Sequence, residues 1–140
     1  MIKIYFAQPI DIKPDNVEIT IREFKKIFTK FPNIEVYGAG FNDSPIINPN
    51  KSTWTIERLI VAYDLRQLRQ CDILLVVTDT HTFCAGTMME LEYARQLGIF
   101  TIMLSLSKEV KNIFLLTMVD RLAFSVKELE DILKEISSLW

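Results

Sequence analysis

The chain has little of what rigid turns, disulfides or metal sites require. Its 140 residues include two cysteines, one histidine and four glycines. Cys71 and Cys84 make no disulfide framework, so a reducing cytoplasm is the expected setting. His81, with Cys84 three residues on, supplies too few donors for zinc. The same two residues as a nucleophile pair would share one loop, with nothing to orient the base. There is no phosphate-binding GxGxxG and no P-loop; Gly38-Ala39-Gly40 follows a strand-like run, but no glycine-led helix opens after it. No apolar run approaches the roughly 20 residues of a membrane span. The start, MIKIYFAQPI, reads as a strand rather than a signal peptide. Basic residues are scattered and the net charge is -2, which argues against a nucleic-acid partner.

What is present suits one globular domain over residues 1–140. The chain is 49% hydrophobic and 24% charged. Ile2 to Ala7 reads as a strand buried on both faces. Asp15 and Glu18 form a capping box for a helix running to about Lys30, with Val17, Ile21, Phe24, Ile27 and Phe28 on one stripe. Ile34 to Tyr37 is a second strand. The stretch from Gly38 to Thr53, rich in Gly, Pro and Asn, is a long loop of the kind that binds ligands or covers sites. A helix follows from Trp54 to Arg69, its expected stripe Ile56, Leu59, Ile60 and Tyr63, with Asp64 beside it. Strands at Ile73 to Val77, Phe100 to Leu104 and Arg121 to Ser125 alternate with helical patterns near Thr87 to Leu97, Asn112 to Val119 and from Ser125 onward. This alternation predicts a three-layer α/β sandwich around a parallel five-stranded sheet. The flavodoxin-like order 2-1-3-4-5 would put a crevice between the first and third strands, flanked by Tyr5 to Pro9 and Asp79 to Glu90.

The stretch from Asp72 to Gly98 holds the most informative residue. At 100° per residue Glu90 lies near Tyr93, Ala94 and Leu97, with Leu91 flanking, whereas Glu92, Arg95 and Gln96 fall on the opposite side. A carboxylate on an apolar helix face is costly unless something satisfies or uses it. Two readings stand side by side. Thr87-Met88-Met89-Glu90 can be a capping box, with Glu90 in the first turn. Alternatively Glu90 is a functional group at the end of a buried strand. Asp64, Asp72 and Asp79 gather around the same crevice in sequence. Asp72 has a structural alternative, accepting from backbone amides at a strand start. Cys71 reads as a small buried hydrophobe.

Several segments resemble the nucleoside 2-deoxyribosyltransferase family, which includes the 2'-deoxynucleoside 5'-monophosphate N-hydrolases. They are Ile4-Tyr5-Phe6-Ala7, then Asp64 with Cys71-Asp72-Ile73, then Gly86-Thr87-Met88-Met89-Glu90-Leu91-Glu92-Tyr93-Ala94 with Leu97-Gly98. The resemblance implies that Glu90 attacks the anomeric carbon and forms a glycosyl-enzyme, which a second base or water resolves with retention. It implies that Tyr5 orients the nucleophile and that Asp64 binds or protonates the leaving base. Gln8, Asp79, Cys84, Gly86 and Thr87 would contact a nucleoside or nucleotide. Family members are dimers or larger, and the region Thr117 to Asp120 of a neighbouring subunit would complete each site. No metal or other cofactor is implied. Two departures stand out. Six residues before the nucleophile, where the transferases carry Asp and the hydrolases a small hydroxyl residue, this chain has Cys84. The first loop reads Gln8-Pro9-Ile10, without the hydrolases' glycine- and arginine-rich segment. Transfer of 2-deoxyribose between bases is the leading expectation and hydrolysis of a nucleoside monophosphate the second. A non-catalytic nucleotide-binding module on the same fold is the third. A phosphoacceptor domain is disfavoured, because the first strand ends Ala7-Gln8-Pro9 rather than in acidic residues.

Overall fold

The computed structural model describes residues 1–7, 14–38, 41, 54–78, 85–107, 110 and 113–140, the side chains of 14–20, 54, 57, 85 and 114 excepted. Five strands and five helices alternate along the chain: β1 Ile2–Ala7, α1 Pro14–Phe28, β2 Ile34–Tyr37, α2 Trp54–Arg69, β3 Ile73–Thr78, α3 Ala85–Leu97, β4 Phe100–Ser105, α4 Ile113–Met118, β5 Arg121–Ala123 and α5 Val126–Ser138. The strands form one sheet in the order β2-β1-β3-β4-β5, and every pairing is parallel. This is the α/β, flavodoxin-like order that the alternation predicts.

Period-two alternation divides the sheet into two cores. Ile2, Ile4 and Phe6 pack with Phe24, Ile27 and Phe28 of α1 and with Leu129, Ile132 and Leu133 of α5. Tyr5 and Ala7 face the other way, with Leu68 of α2, Leu91 and Ala94 of α3, and Leu115 of α4. β3 is buried at all six positions, as a strand covered on both faces must be. Tyr5 therefore belongs to the α2–α3 side. Register places it beside Leu74, two residues short of the carboxyl-end pair Ala7 and Val76.

Several helix details differ from the sequence expectations. α1 starts at Pro14, so Asp15 is inside the helix rather than its cap; proline suits a first helical position because that N–H has no partner to lose. α5 is capped by Ser125, its Oγ accepting the Glu128 amide at 3.1 Å and Glu128 in turn accepting the Phe124 amide at 2.8 Å. The expected stripe of α2 does not all reach the core. Ile56 is 39% exposed and Leu59 61% exposed, while Leu68 near the other end is fully buried. α2 thus packs through its carboxyl-terminal turns. Ile60, Tyr63, Asp64, Leu65 and Gln67 are half-buried around Leu68, so the packed part of α2 interleaves apolar and polar residues. Leu97 of α3 and Leu139 after α5 are likewise exposed, each at the end of its helix.

Gly38 ends β2 with φ +111°, and a Cβ there would lie 2.4 Å from the Phe6 carbonyl oxygen. Just beyond it, Phe41 packs on Phe6 with ring centroids 5.0 Å apart and on Phe28 at 5.7 Å. Gly98 also has positive φ, but open space surrounds its Cβ position. Urea unfolding should show Gly38→Ala losing about 3 kcal/mol or more, from left-handed strain plus a backbone clash, and Gly98→Ala only about 1 kcal/mol, from strain alone. Equal losses would contradict this account of Gly38.

Candidate active site

The site is built from three elements on the α2–α3 face of the sheet. β1 brings Tyr5, α2 brings Asp64 and α3 brings Glu90. On α3, Leu91 and Ala94 are fully buried and Thr87 nearly so, and together they fix which way the helix faces. Glu90 lies beside that stripe, partly buried rather than at its centre. Because α3 begins at Ala85, Thr87 is the third helical residue and Glu90 the sixth. Thr87 cannot be the helix cap, and Glu90 is in the second turn. The capping-box reading is therefore corrected, and the carboxylate of Glu90 has no helix-end amide to serve.

The electrostatics tie the three residues together. Burial, and then the charge of Asp64, push the Glu90 carboxyl up to about 7. Burial also pushes Asp64 above the usual carboxylate range. Tyr5 is raised by burial first, then by Glu90, Asp64, Cys71 and Tyr63. Its phenol therefore stays protonated and can only donate to a carboxylate partner. Among the described residues no cation acts on Glu90, Asp64 or Tyr5. The group is a desolvated, negatively poised pair of carboxyls with a phenol donor beside it. Such a group stabilises positive charge developing on a substrate, and one carboxylate can close covalently on an electrophilic carbon. Among the described residues no three His, Cys, Asp or Glu side chains gather into a metal-binding cluster.

The other candidates are distributed as follows. Gly86 is exposed in the first turn of α3, and Thr87 is buried one turn before Glu90. Gln8, Asp79, His81 and Cys84 lie outside the described residues, as does most of the stretch from Gly38 to Thr53. Thr117 is exposed on α4. Asp120 sits at the other end of the sheet, where its carboxylate accepts the Thr101 amide at 2.7 Å and hydroxyl at 2.9 Å. Within one chain it is not part of the Tyr5–Asp64–Glu90 group. Asp72 takes its structural alternative, accepting the Lys3 amide at 2.8 Å. Cys71 is buried and its thiol pushed up to about 12, chiefly by burial, which makes it inert.

Sequence reasoning missed three polar residues near the crevice. Tyr63 faces Tyr5 closely enough to raise it, although its place on α2 had suggested plain core. Thr78 and Ser105 are buried register partners closing β3 and β4, and Ser105 Oγ lies 3.1 Å from Ser107 Oγ. The available signal was that both apolar runs, ILLVVT and FTIMLS, end in a hydroxyl at the edge where such sheets bind ligands.

The fold and this site define a flavodoxin-like α/β domain with a carboxylate group at the carboxyl ends of its strands. Solved structures similar to it include a 2-deoxyribosyltransferase from Bacillus psychrosaccharolyticus, with a TM-score of 0.75 and 17% identity over 91% of this chain and 90% of that one. A conserved protein from Enterococcus faecalis V583 has a TM-score of 0.78 and 21% identity, covering 96% of this chain and 98% of the other. A CMP N-glycosidase from Clostridium botulinum has a TM-score of 0.58 and 15% identity, over 96% and 98%. The structural neighbours thus include the transferase family that residues 86–98 resemble. At these identities the shared property is the fold. No protein-family model and no curated protein matches the sequence.

The raised Glu90 carboxyl has a consequence for stability. Between the ordinary value of 4.5 and about 7 the folded chain holds a proton that the unfolded chain has released. Stability on this account is full below the lower value, falls as pH rises through that window and is level above it. Glu90→Gln removes the loss. Thermal and urea unfolding should show Glu90→Gln more stable than the parent by on the order of 2 kcal/mol at about pH 8, and equal to it at about pH 4. A variant destabilised at both values would contradict the buried, cation-free placement of Glu90.

Proposed function

We propose that this chain is an N-glycosidic bond enzyme that transfers 2-deoxyribose between nucleobases, with Glu90 as nucleophile. The observation that carries the reading is Glu90 itself: a carboxyl in the second turn of α3, held near neutrality by burial and by Asp64, with the Tyr5 phenol at hand. The similar structures named for 2-deoxyribosyltransferases support it.

In this mechanism ionised Glu90 attacks the anomeric carbon while the carbon–nitrogen bond breaks. The transition state carries positive charge on the sugar, which the ionised Glu90 carboxylate favours. Asp64, raised by burial, gives its proton to the departing base. Tyr5 donates to Glu90 and fixes its orientation. A second base then attacks the glycosyl ester, Glu90 leaves as carboxylate, and Asp64 recovers the proton.

Hydrolysis of a nucleoside 5'-monophosphate is the second reading, favoured by the likeness to a CMP N-glycosidase. Against it, a phosphate dianion would enter a group whose described members are acidic or neutral, and would push Glu90 higher still. The chain also self-associates in this proposal. Its α2–α3–α4 face exposes Leu59, Met89 (63%), Ile113 and Leu116, and a groove of about 520 Å³ lined by Leu65, Met88 and Met118 runs along it. Such a patch fits a second copy of the same surface.

Chromatography of the purified chain with 2'-deoxynucleosides, with and without a second free base, tests the reaction. New nucleoside should form only with the acceptor. Glu90→Ala should lose about a thousandfold or more in turnover and Asp64→Asn about a hundredfold, both folded by circular dichroism. Full activity in Glu90→Ala would sink the proposal, and free base released from monophosphates alone would shift it to hydrolysis. Sedimentation should show an oligomer that Met89→Asp dissociates; a monomeric parent would refute the self-association.

A further inference from the structure

A second concave site lies at the opposite end of the sheet. A cavity of about 470 Å³ is lined by residues from the amino-terminal ends of β1, β3, β4 and β5 and from the last turn of α5. Its floor is apolar, made by buried Ile2 and Ile73. Its walls include exposed aromatic surface, Phe100 at 38% and Trp140 at 74%.

The charged lining is unbalanced. Asp72, Asp120 and Glu135 stand against one cation, Arg121, and Arg121 already pairs with Glu135 at 3.1 Å. Within that lining, Asp72 and Asp120 are left without a cation of their own. Both are fixed rather than free to swing, because Oδ2 of Asp72 accepts the Lys3 amide and Oδ2 of Asp120 accepts from Thr101. The ammonium of Lys3 is engaged elsewhere, over the Tyr37 ring. The helix end at the rim adds to the imbalance. α1, α2 and α3 each carry a basic residue in the last turn, where it offsets the negative end of the helix dipole, and α5 carries none.

We propose that this cavity binds an organic cation, an ammonium group on an apolar or aromatic body. The charge lies between Asp72 and Asp120, the body rests on Ile2 and Ile73, and the ring faces of Phe100 and Trp140 close over it. A bare metal ion would want several oxygens and would leave the apolar floor unused. An anion would meet the two carboxylates. The cavity and the Glu90 group occupy opposite ends of the strands, so the proposal stands apart from the catalytic reading.

The test is titration of the full chain with benzyltrimethylammonium chloride, followed by calorimetry and by amide shifts in nuclear magnetic resonance. Sodium chloride and sodium benzoate serve as controls. Saturable one-site binding is expected, with shifts gathered at Asp72, Phe100, Asp120 and Arg121 and none from benzoate. The double variant Asp72→Asn with Asp120→Asn keeps an oxygen for each backbone bond, and should bind at least about tenfold more weakly. Trp140→Ala, which removes an exposed ring and leaves the core intact, should weaken binding about threefold. The proposal is overturned by any of four results: no saturation, equal binding of benzoate, shifts gathered instead around Tyr5 and Glu90, or parental affinity in both variants.

Discussion

The account of this molecule depends on one unfavourable arrangement: a carboxyl buried with a second carboxyl and, among the described residues, with no cation beside it. Asp64 raises the cost of ionising Glu90, burial raises the cost for both, and Tyr5 can supply a hydrogen bond but no charge. A protein that needed only a stable helix pair would place an apolar residue at position 90, next to Leu91 and Ala94. Retaining two carboxyls there costs stability at neutral pH, and in the proposed reaction that cost is offset when a positive transition state forms beside them.

The fold makes that arrangement possible by keeping its two faces distinct. The α1–α5 face is a closed aromatic and aliphatic core, with Phe6, Phe24, Phe28 and Phe41 in mutual contact. Among the described residues its buried members are all apolar. The α2–α3 face is looser toward the carboxyl ends of the strands. α2 packs through Leu68 and leaves Ile56, Leu59 and Val61 exposed, with Asp64 half-buried between the two regions. Tyr5 is the point where the two meet, with its backbone paired on both sides in the sheet and its side chain among the site residues.

Much of this was legible in the chain. The five strands and their parallel order follow from apolar runs and helix periodicity. Legibility failed where local and tertiary signals diverge. Thr87 to Glu90 has the composition of a cap, yet α3 begins two residues earlier, because Leu91 and Ala94 dictate its register on the sheet. Leu59 looks like core by spacing, but α2 outruns the surface it would cover. Asp120, which the resemblance offers as part of a neighbouring subunit's contribution, accepts from Thr101 of its own chain at the far end of β4. Hydroxyls such as Thr78 and Ser105 carry no periodic signal at all; only the topology brings them side by side.

The most direct measurement is rapid quenching of the chain with a 2'-deoxynucleoside in the absence of acceptor, followed by intact-protein and peptide mass spectrometry. The account predicts one deoxyribosyl adduct per chain, localised to Glu90 and absent from Glu90→Gln. Base release with no adduct, or with an adduct on another residue, would contradict it.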